Sequence, residues 1–282
     1  MTEAEYNALP GIRASAIKAG AVTMKHMRAA MLGQREDQTD AMAWGQMVHG
    51  AILEPERFWQ GVVFWHGGLT KDGVLSMSKA TNTYKQFEAD ALAAGKTILT
   101  DSQRVKLEEC IDAVWCKPAI AALLQACERE VPRRWSDRTA YGDGKCRLDG
   151  ICAGRFWLEV KTTAATSLRR YSNQHYDMGY DMQLGWYSIG AGVDLPCRLV
   201  IVSNGSIPDA VLFKPIDRGV IERGRDKAVE IARRYRACEA AQVFPGMDGG
   251  EDEVEFVPPA RAGGKDEEIE IGTGEEGKAS EL

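Results

Sequence analysis

No apolar run in this 282-residue chain approaches the roughly 20 residues needed to cross a bilayer as a helix, so a membrane-spanning protein is not expected. The first residues, Met-Thr-Glu-Ala-Glu, do not pair a basic region with an apolar one. No secretory leader is predicted, and the expected compartment is the cytoplasm. Cys-x-x-Cys pairs are missing as well. Cys110, Cys116, Cys127, Cys146, Cys152, Cys197 and Cys238 are odd in number and irregular in spacing, which argues against clustered zinc or iron–sulfur ligation. Dispersed thiols of this kind read as small core residues. There is no internal repeat.

What remains is ordinary globular material. Hydrophobic residues make up 44% of the chain and charged residues 27%, enough for one large domain or two small ones. The net charge of −6 is unevenly spread. Residues 246–282 hold 12 acidic and 3 basic side chains, so the 35 basic and 41 acidic of the whole chain leave residues 1–245 with a net charge of +3. A mildly basic body with an acidic tail does not exclude a nucleic-acid substrate. Beyond Pro245 the composition collapses to Gly, Glu, Asp and Pro, and residues 246–282 are expected to be a disordered tail. Such a tail can solubilise, dock a partner or compete with DNA for the basic body.

Helical periodicity is predicted over 11–32, Ala41 to Leu53, Lys79 to Ala94, Ser102 to Trp115 and Pro118 to Cys127. Gly61 to Trp65 is a short β-like run. From Glu130 the pattern changes to strands, at Glu130 to Trp135, Lys145 to Ile151 and Phe156 to Thr162, spaced as an antiparallel meander. Helix is predicted again over Ser172 to Ala191, strands at Cys197 to Ser203 and Ala210 to Lys214, and a long Arg- and Lys-rich helix at Asp217 to Ala241. This is an α/β (α+β) chain: a mainly helical part, 1–127, then a part, 128–245, with a central small mixed sheet of three or four strands flanked by helices.

The stretch Lys145 to Lys161 reads as two strands joined at Ala153-Gly154-Arg155. Asp149 sits on the first; Glu159 and Lys161, two apart on the second, point the same way. Two carboxylates and an ammonium on one side of a hairpin suit a divalent metal acting on phosphate. Taken alone, the pattern better fits a surface hairpin with an ordinary cross-strand ion pair. His49 lies one helical turn after Gly45, and as a single histidine it fits either a ligand or a hydrogen-bonded structural group. Gln183 and Tyr187, at i and i+4, share one helix face, which could be a wet face or the wall of a site. Lys161-Thr162-Thr163 and Arg169-Arg170 follow the hairpin and could track a DNA backbone or simply be solvated.

In their order along the chain (His, Asp, Glu-x-Lys, Gln-x-x-x-Tyr) these residues resemble the PD-(D/E)XK nuclease superfamily, and within it the RecE-type exodeoxyribonuclease VIII group of phages and prophages. The resemblance runs from about Leu9 to Ala241. It rests on Trp44-Gly-Gln-Met-Val-His49 with the Leu-Glu-Pro55 exit, Gly95-Lys-Thr-Ile-Leu-Thr100, Cys146-Arg-Leu-Asp149-Gly, Leu158-Glu159-Val-Lys161-Thr-Thr and Tyr180 to Tyr187. Leu148 stands where the family usually has proline, and Glu159 where it often has Asp.

The resemblance implies a restriction-endonuclease-like core and a single nuclease domain over 1–245. It implies a Mg²⁺- or Mn²⁺-dependent exonuclease that resects double-stranded DNA. His49, Asp149, Glu159 and the Val160 backbone carbonyl would be metal ligands, with Glu130 as an additional candidate. Asp149, Glu159 and Lys161 would be catalytic, supported by Gln183 and Tyr187. DNA-contact candidates are Arg147, Thr162, Thr163, Arg169 and Arg170. A homo-oligomeric ring and a single-strand annealing recombinase as partner are implied by the same analogy, as is a phage or prophage origin in a bacterial cytoplasm. An endonuclease of the same superfamily and a catalytically silent DNA-binding or assembly protein are the alternatives; four-cysteine iron–sulfur nucleases are disfavoured by the scattered thiols.

Overall fold

Side-chain oxygens start most of the early helices. Thr23, Thr39, Thr81 and Thr100 each accept an amide hydrogen of the first turn that follows, satisfying a donor that no carbonyl of the helix can reach. The computed structural model describes residues 3–34, 39–70 and 72–250. In chain order these form α1 (Glu3–Ala8), α2 (Ala14–Val22), α3 (Met24–Met31), α4 (Asp40–Leu53), α5 (Pro55–Gln60) and β1 (Val62–Trp65). A small hairpin follows, β2 (Gly68–Leu69) with β3 (Leu75–Ser76), then α6 (Asn82–Ala93), β4 (Thr97–Thr100), α7 (Asp101–Trp115) and α8 (Pro118–Ala126). The second half holds β5 (Glu128–Asp137), β6 (Gly142–Cys152), β7 (Phe156–Thr163), α9 (Leu168–Asp177), α10 (Tyr180–Ala191), β8 (Cys197–Ser203), β9 (Asp209–Leu212) and α11 (Arg218–Ala241). Of the tail expected over 246–282, residues 251–282 lie outside the described residues.

The fold class is as expected, with differences of detail that have local causes. The helix predicted over 11–32 is two helices, because Thr23 is extended (φ −156°, ψ 162°) and caps the second. Ser172 to Ala191 likewise divides, at Gly179, whose φ of +63° is left-handed and suits glycine. Thr97–Thr100, between two predicted helices and assigned no element from the sequence, is a strand paired in parallel with β1. The main sheet has five strands in sequential order, β5 to β9. It departs from a pure meander at β7 and β8, which run parallel. A parallel neighbour needs a crossover, and α9 and α10 provide it.

Both faces of the sheet are covered. On one, Leu158, Val160, Val200 and Val202 pack with Val48 and Ile52 of α4 and Leu107 and Val114 of α7. On the other, Cys146, Leu148 and Trp157 pack with Leu184 of α10 and Ile221 of α11. Two glycines set how deeply α10 is seated. A Cβ at Gly185 would fall 2.0 Å from the Arg225 amide nitrogen, and one at Gly224 would fall 2.1 Å from the Asp181 carbonyl oxygen. Helices α10 and α11 therefore touch backbone to backbone. On the opposite face, Gly45 lets α4 cross β7, since a Cβ there would lie 2.9 Å from Thr162 Oγ1. These close crossings fix the helices that carry His49 and Gln183. Cys110, Cys146 and Cys197 are buried thiols, as dispersed cysteines are expected to be, whereas Cys116 is exposed.

Candidate active site

The hairpin opens where its acidic residue sits. β6 and β7 pair from Cys152 with Phe156 to Gly150 with Leu158. At the next position the Asp149 side chain, not a backbone carbonyl, takes the Val160 amide hydrogen, at 2.6 Å. The carboxylate is thereby held at the parting of the two strands. Its bonded oxygen Oδ2 also lies 3.0 Å from His49 Nε2. The other ring nitrogen of His49 is 3.4 Å from Glu130 Oε1, and Glu130 Oε2 accepts from Arg147 Nε at 2.6 Å. His49, Glu130 and Asp149 thus offer three donor atoms, all within 4.8 Å of one another, an arrangement that could hold a metal ion.

Glu130 occupies an unusual backbone position. Its φ is +54°, and it and Gln242 are the non-glycine residues with positive φ among those described. Left-handed backbone is uncommon for glutamate and costs free energy. The strain is located opposite Asp149 in the β5–β6 ladder, where Arg129 pairs with Gly150 and Val131 with Leu148. It turns the carboxylate toward His49.

Glu159 and Lys161 stand beside this cluster. Lys161 Nζ donates to Glu159 Oε1 at 2.5 Å, and Gln183 Nε2 of α10 donates to the same oxygen at 2.7 Å. The side chain of Glu159 is 1% exposed. Its second oxygen, Oε2, is buried with no hydrogen-bond partner among the described residues. A buried carboxylate oxygen without a donor is costly unless a proton or a cation reaches it.

The charges push one another. Burial disfavours the imidazolium of His49, but Asp149 and then Glu130 outweigh it and raise the group to about 9. Asp149 is held below its usual range despite burial, by His49 and Lys161 and by the Val160 amide. Glu130 and Glu159 are each raised to about 7, by burial first and by the Asp149 charge second. Lys161 is raised because Glu159 and Asp149 more than offset its desolvation. Three buried carboxylates compete here for few positive charges. That donor set, with the orphaned Glu159 oxygen, fits a hard divalent cation.

Tyr187, on α10, is half-buried, and its phenol is pushed well up by desolvation and by the nearby Glu159; its ring is 6.5 Å from that of Trp157. Val160 presents its amide to Asp149. Arg147 is engaged by Glu130. Thr162 faces Gly45 of α4. Thr163 is 3% exposed, and its hydroxyl donates to Gln174 and accepts from the Ala165 amide. Arg169 and Arg170 are exposed on α9. Two participants carry little sequence signal. Glu130 depends on a backbone conformation that no residue pattern announces, and Lys18 of α2 reaches the site across Tyr180.

No protein-family model matches the chain, and neither does any curated protein sequence. Among solved structures, a candidate exonuclease of Eubacterium rectale superposes with a TM-score of 0.60, covering 92% of this chain and 96% of its own, at 14% identity. A phage-related exonuclease of Haemophilus somnus 129PT matches over 84% of this chain and 99% of its own, also at 14% identity, with a TM-score of 0.35. The first likeness shows a shared fold: helices around a mixed five-stranded sheet. The second is too distant in shape to carry an argument.

Proposed function

We propose that this chain is a divalent-metal-dependent deoxyribonuclease, an exonuclease that resects double-stranded DNA. The observation that carries the reading is the convergence of the His49, Glu130 and Asp149 donors beside the buried Glu159–Lys161 pair. The shared fold with the E. rectale candidate exonuclease supports it.

A cation bound there supplies Lewis acidity, polarising a phosphodiester and making water a better nucleophile at neutral pH. His49, Glu130 and Asp149 would hold it, with Glu159 Oε2 and the Val160 carbonyl as further oxygen donors. A donor set rich in carboxylate suits Mg²⁺ or Mn²⁺. The chain's own residues do the rest. Lys161 has its ammonium anchored on Glu159, so it can orient a water and offset charge building on the phosphate oxygens. Gln183 fixes the rotamer of Glu159, and Tyr187, one helical turn further along α10, packs beside it against Trp157. Arg169 and Arg170 of α9 would neutralise backbone phosphates on the approach.

The resemblance extends the reading to a phage or prophage recombination enzyme acting in a bacterial cytoplasm. It would work as a ring around its DNA and hand single strands to an annealing recombinase. No helix among the described residues is long and apolar enough to cross a membrane.

The test is digestion of linear and closed circular duplex DNA by the wild type and by Lys161→Ala. Loss of linear DNA alone, abolished in the variant while DNA binding survives, is the expected result. Undiminished cleavage by Lys161→Ala would overturn the assignment, and cutting of the circle would make the enzyme an endonuclease.

A further inference from the structure

Two ammonium groups share one aromatic ring at the edge of the site. Lys161 Nζ lies 5.0 Å from the ring centre of Tyr180, and Lys18 Nζ lies 5.2 Å from the same centre. They come from distant parts of the chain, α2 and β7, and their circumstances differ. Lys161 is neutralised by Glu159 at 2.5 Å. Lys18 has no hydrogen-bond or ion-pair partner among the described residues.

A lysine on a half-buried helix normally carries its charge out to water. Lys18 is half-buried, and its ammonium lies against the Tyr180 ring. Its stem lies along Gly179, where an added Cβ would come within 3.3 Å of Cγ and 3.4 Å of Cδ. The left-handed glycine that breaks α9 from α10 thus also provides the space that lets Lys18 reach Tyr180. The charge ends beside another cation, and burial together with Lys161 lowers its pKa to about 8. Such a placement is unfavourable for the protein alone and favourable once an anion arrives between or beside the two groups.

We propose that the Lys18 ammonium is a DNA-binding group that holds a backbone phosphodiester next to the one served by Lys161, both lysines lying against the Tyr180 ring. The proposal rests on the nuclease reading for the identity of the anion. The geometry supplies the rest: a lysine paired with Glu159 and a lysine with no such partner among the described residues lie against one ring at the edge of the carboxylate cluster. A strand engaging Lys161 can therefore meet a second ammonium close by.

The test uses the full chain, a linear duplex with 5′-hydroxyl ends so that only backbone phosphodiesters are offered, and the variants Lys18→Met and Lys18→Arg. Met keeps the stem against Gly179 and removes the charge; Lys18→Gln is a second neutral variant in case the thioether does not pack. Binding is measured in chelator over a series of salt concentrations, and cleavage in Mg²⁺. Lys18→Met should bind roughly tenfold more weakly, with a slope of log affinity against log salt shallower by about one. Its KM should rise by a similar factor while kcat changes little, and Lys18→Arg should restore both. A neutral variant with the wild-type salt slope and KM overturns the role of Lys18. Binding by the wild type without any cleavage counts against the nuclease reading and leaves the slope comparison to judge Lys18. A wild type that binds no DNA overturns both.

Discussion

Gln183 Nε2 and Lys161 Nζ both donate to a single oxygen, Glu159 Oε1, at 2.7 and 2.5 Å. That shared acceptor ties α10 to β7, and Oε2 of the same carboxylate has no donor among the described residues. The geometry of Glu159 is therefore over-determined on one side and open on the other, an arrangement that would suit the proposed cation.

Gln183→Leu should leave the fold intact and loosen Glu159. Residues that orient a ligand from behind typically matter by about 10- to 100-fold in activity or metal affinity. The expected outcome is a loss in that range, partly recovered at high Mn²⁺, measured as duplex-cleavage rate against metal concentration. A rate unchanged at every metal concentration would remove Gln183 from the site.

Glu130 couples the candidate site to backbone strain. Glu130→Ala and Glu130→Gly both delete the carboxylate, but only glycine relaxes a φ of +54°. The glycine variant should be more stable than the alanine variant by about 1 kcal/mol, read from urea midpoints. Both should lose metal-dependent activity alike. Equal stability of the two would mean that the left-handed conformation carries no cost.

Gly185 tests the seating of α10. A methyl group there collides with the backbone of Arg225 at 2.0 Å, and backbone cannot step aside as a flexible side chain can. Gly185→Ala should destabilise by about 3 kcal/mol or more and should also displace Gln183 from Glu159. Chemical denaturation measures the first effect and the cleavage rate of the residual folded protein the second.

Lys145 anchors the amino-terminal helix. It is 3% exposed, and its ammonium donates to the carbonyls of Tyr6, Asn7 and Leu9 at 3.1, 3.1 and 2.6 Å. Lys145→Met keeps the stem and leaves those carbonyls without their donor, at a cost of about 2 kcal/mol. Amide hydrogen exchange in residues 6–12 should accelerate far more than in β7. Uniform exchange behaviour would show that the anchor is not local.

Much of this arrangement was legible in the residues, and the rest was not for physical reasons. The alternation Glu159-x-Lys161 and the turn at Gly154 place two site residues on one strand face through the period-two geometry of β structure alone. Helical spacing put Gln183 and Tyr187 on one face, and the family resemblance, not the spacing, put that face at the site. The parallel β7–β8 pair was not legible, because strand direction depends on where a crossover lands rather than on the strand's own sequence. Neither was the break at Gly179, since a single glycine inside a helical pattern is usually tolerated. Thr163 reads as a polar residue after a basic one, yet its hydroxyl is used internally. Lys18 looks like any lysine on an amphipathic helix until Tyr180 is brought beneath it.

The central claim is that the cluster around Asp149 and Glu159 binds a divalent cation and hydrolyses DNA. A time course on linear duplex DNA labelled at one end, run with Mg²⁺ and with chelator, tests it most directly. Progressive loss of label or length with Mg²⁺, none in chelator, and none with Asp149→Asn in either condition is the predicted result. Duplex that stays whole with Mg²⁺ and with Mn²⁺, or degradation that continues in chelator, would contradict it.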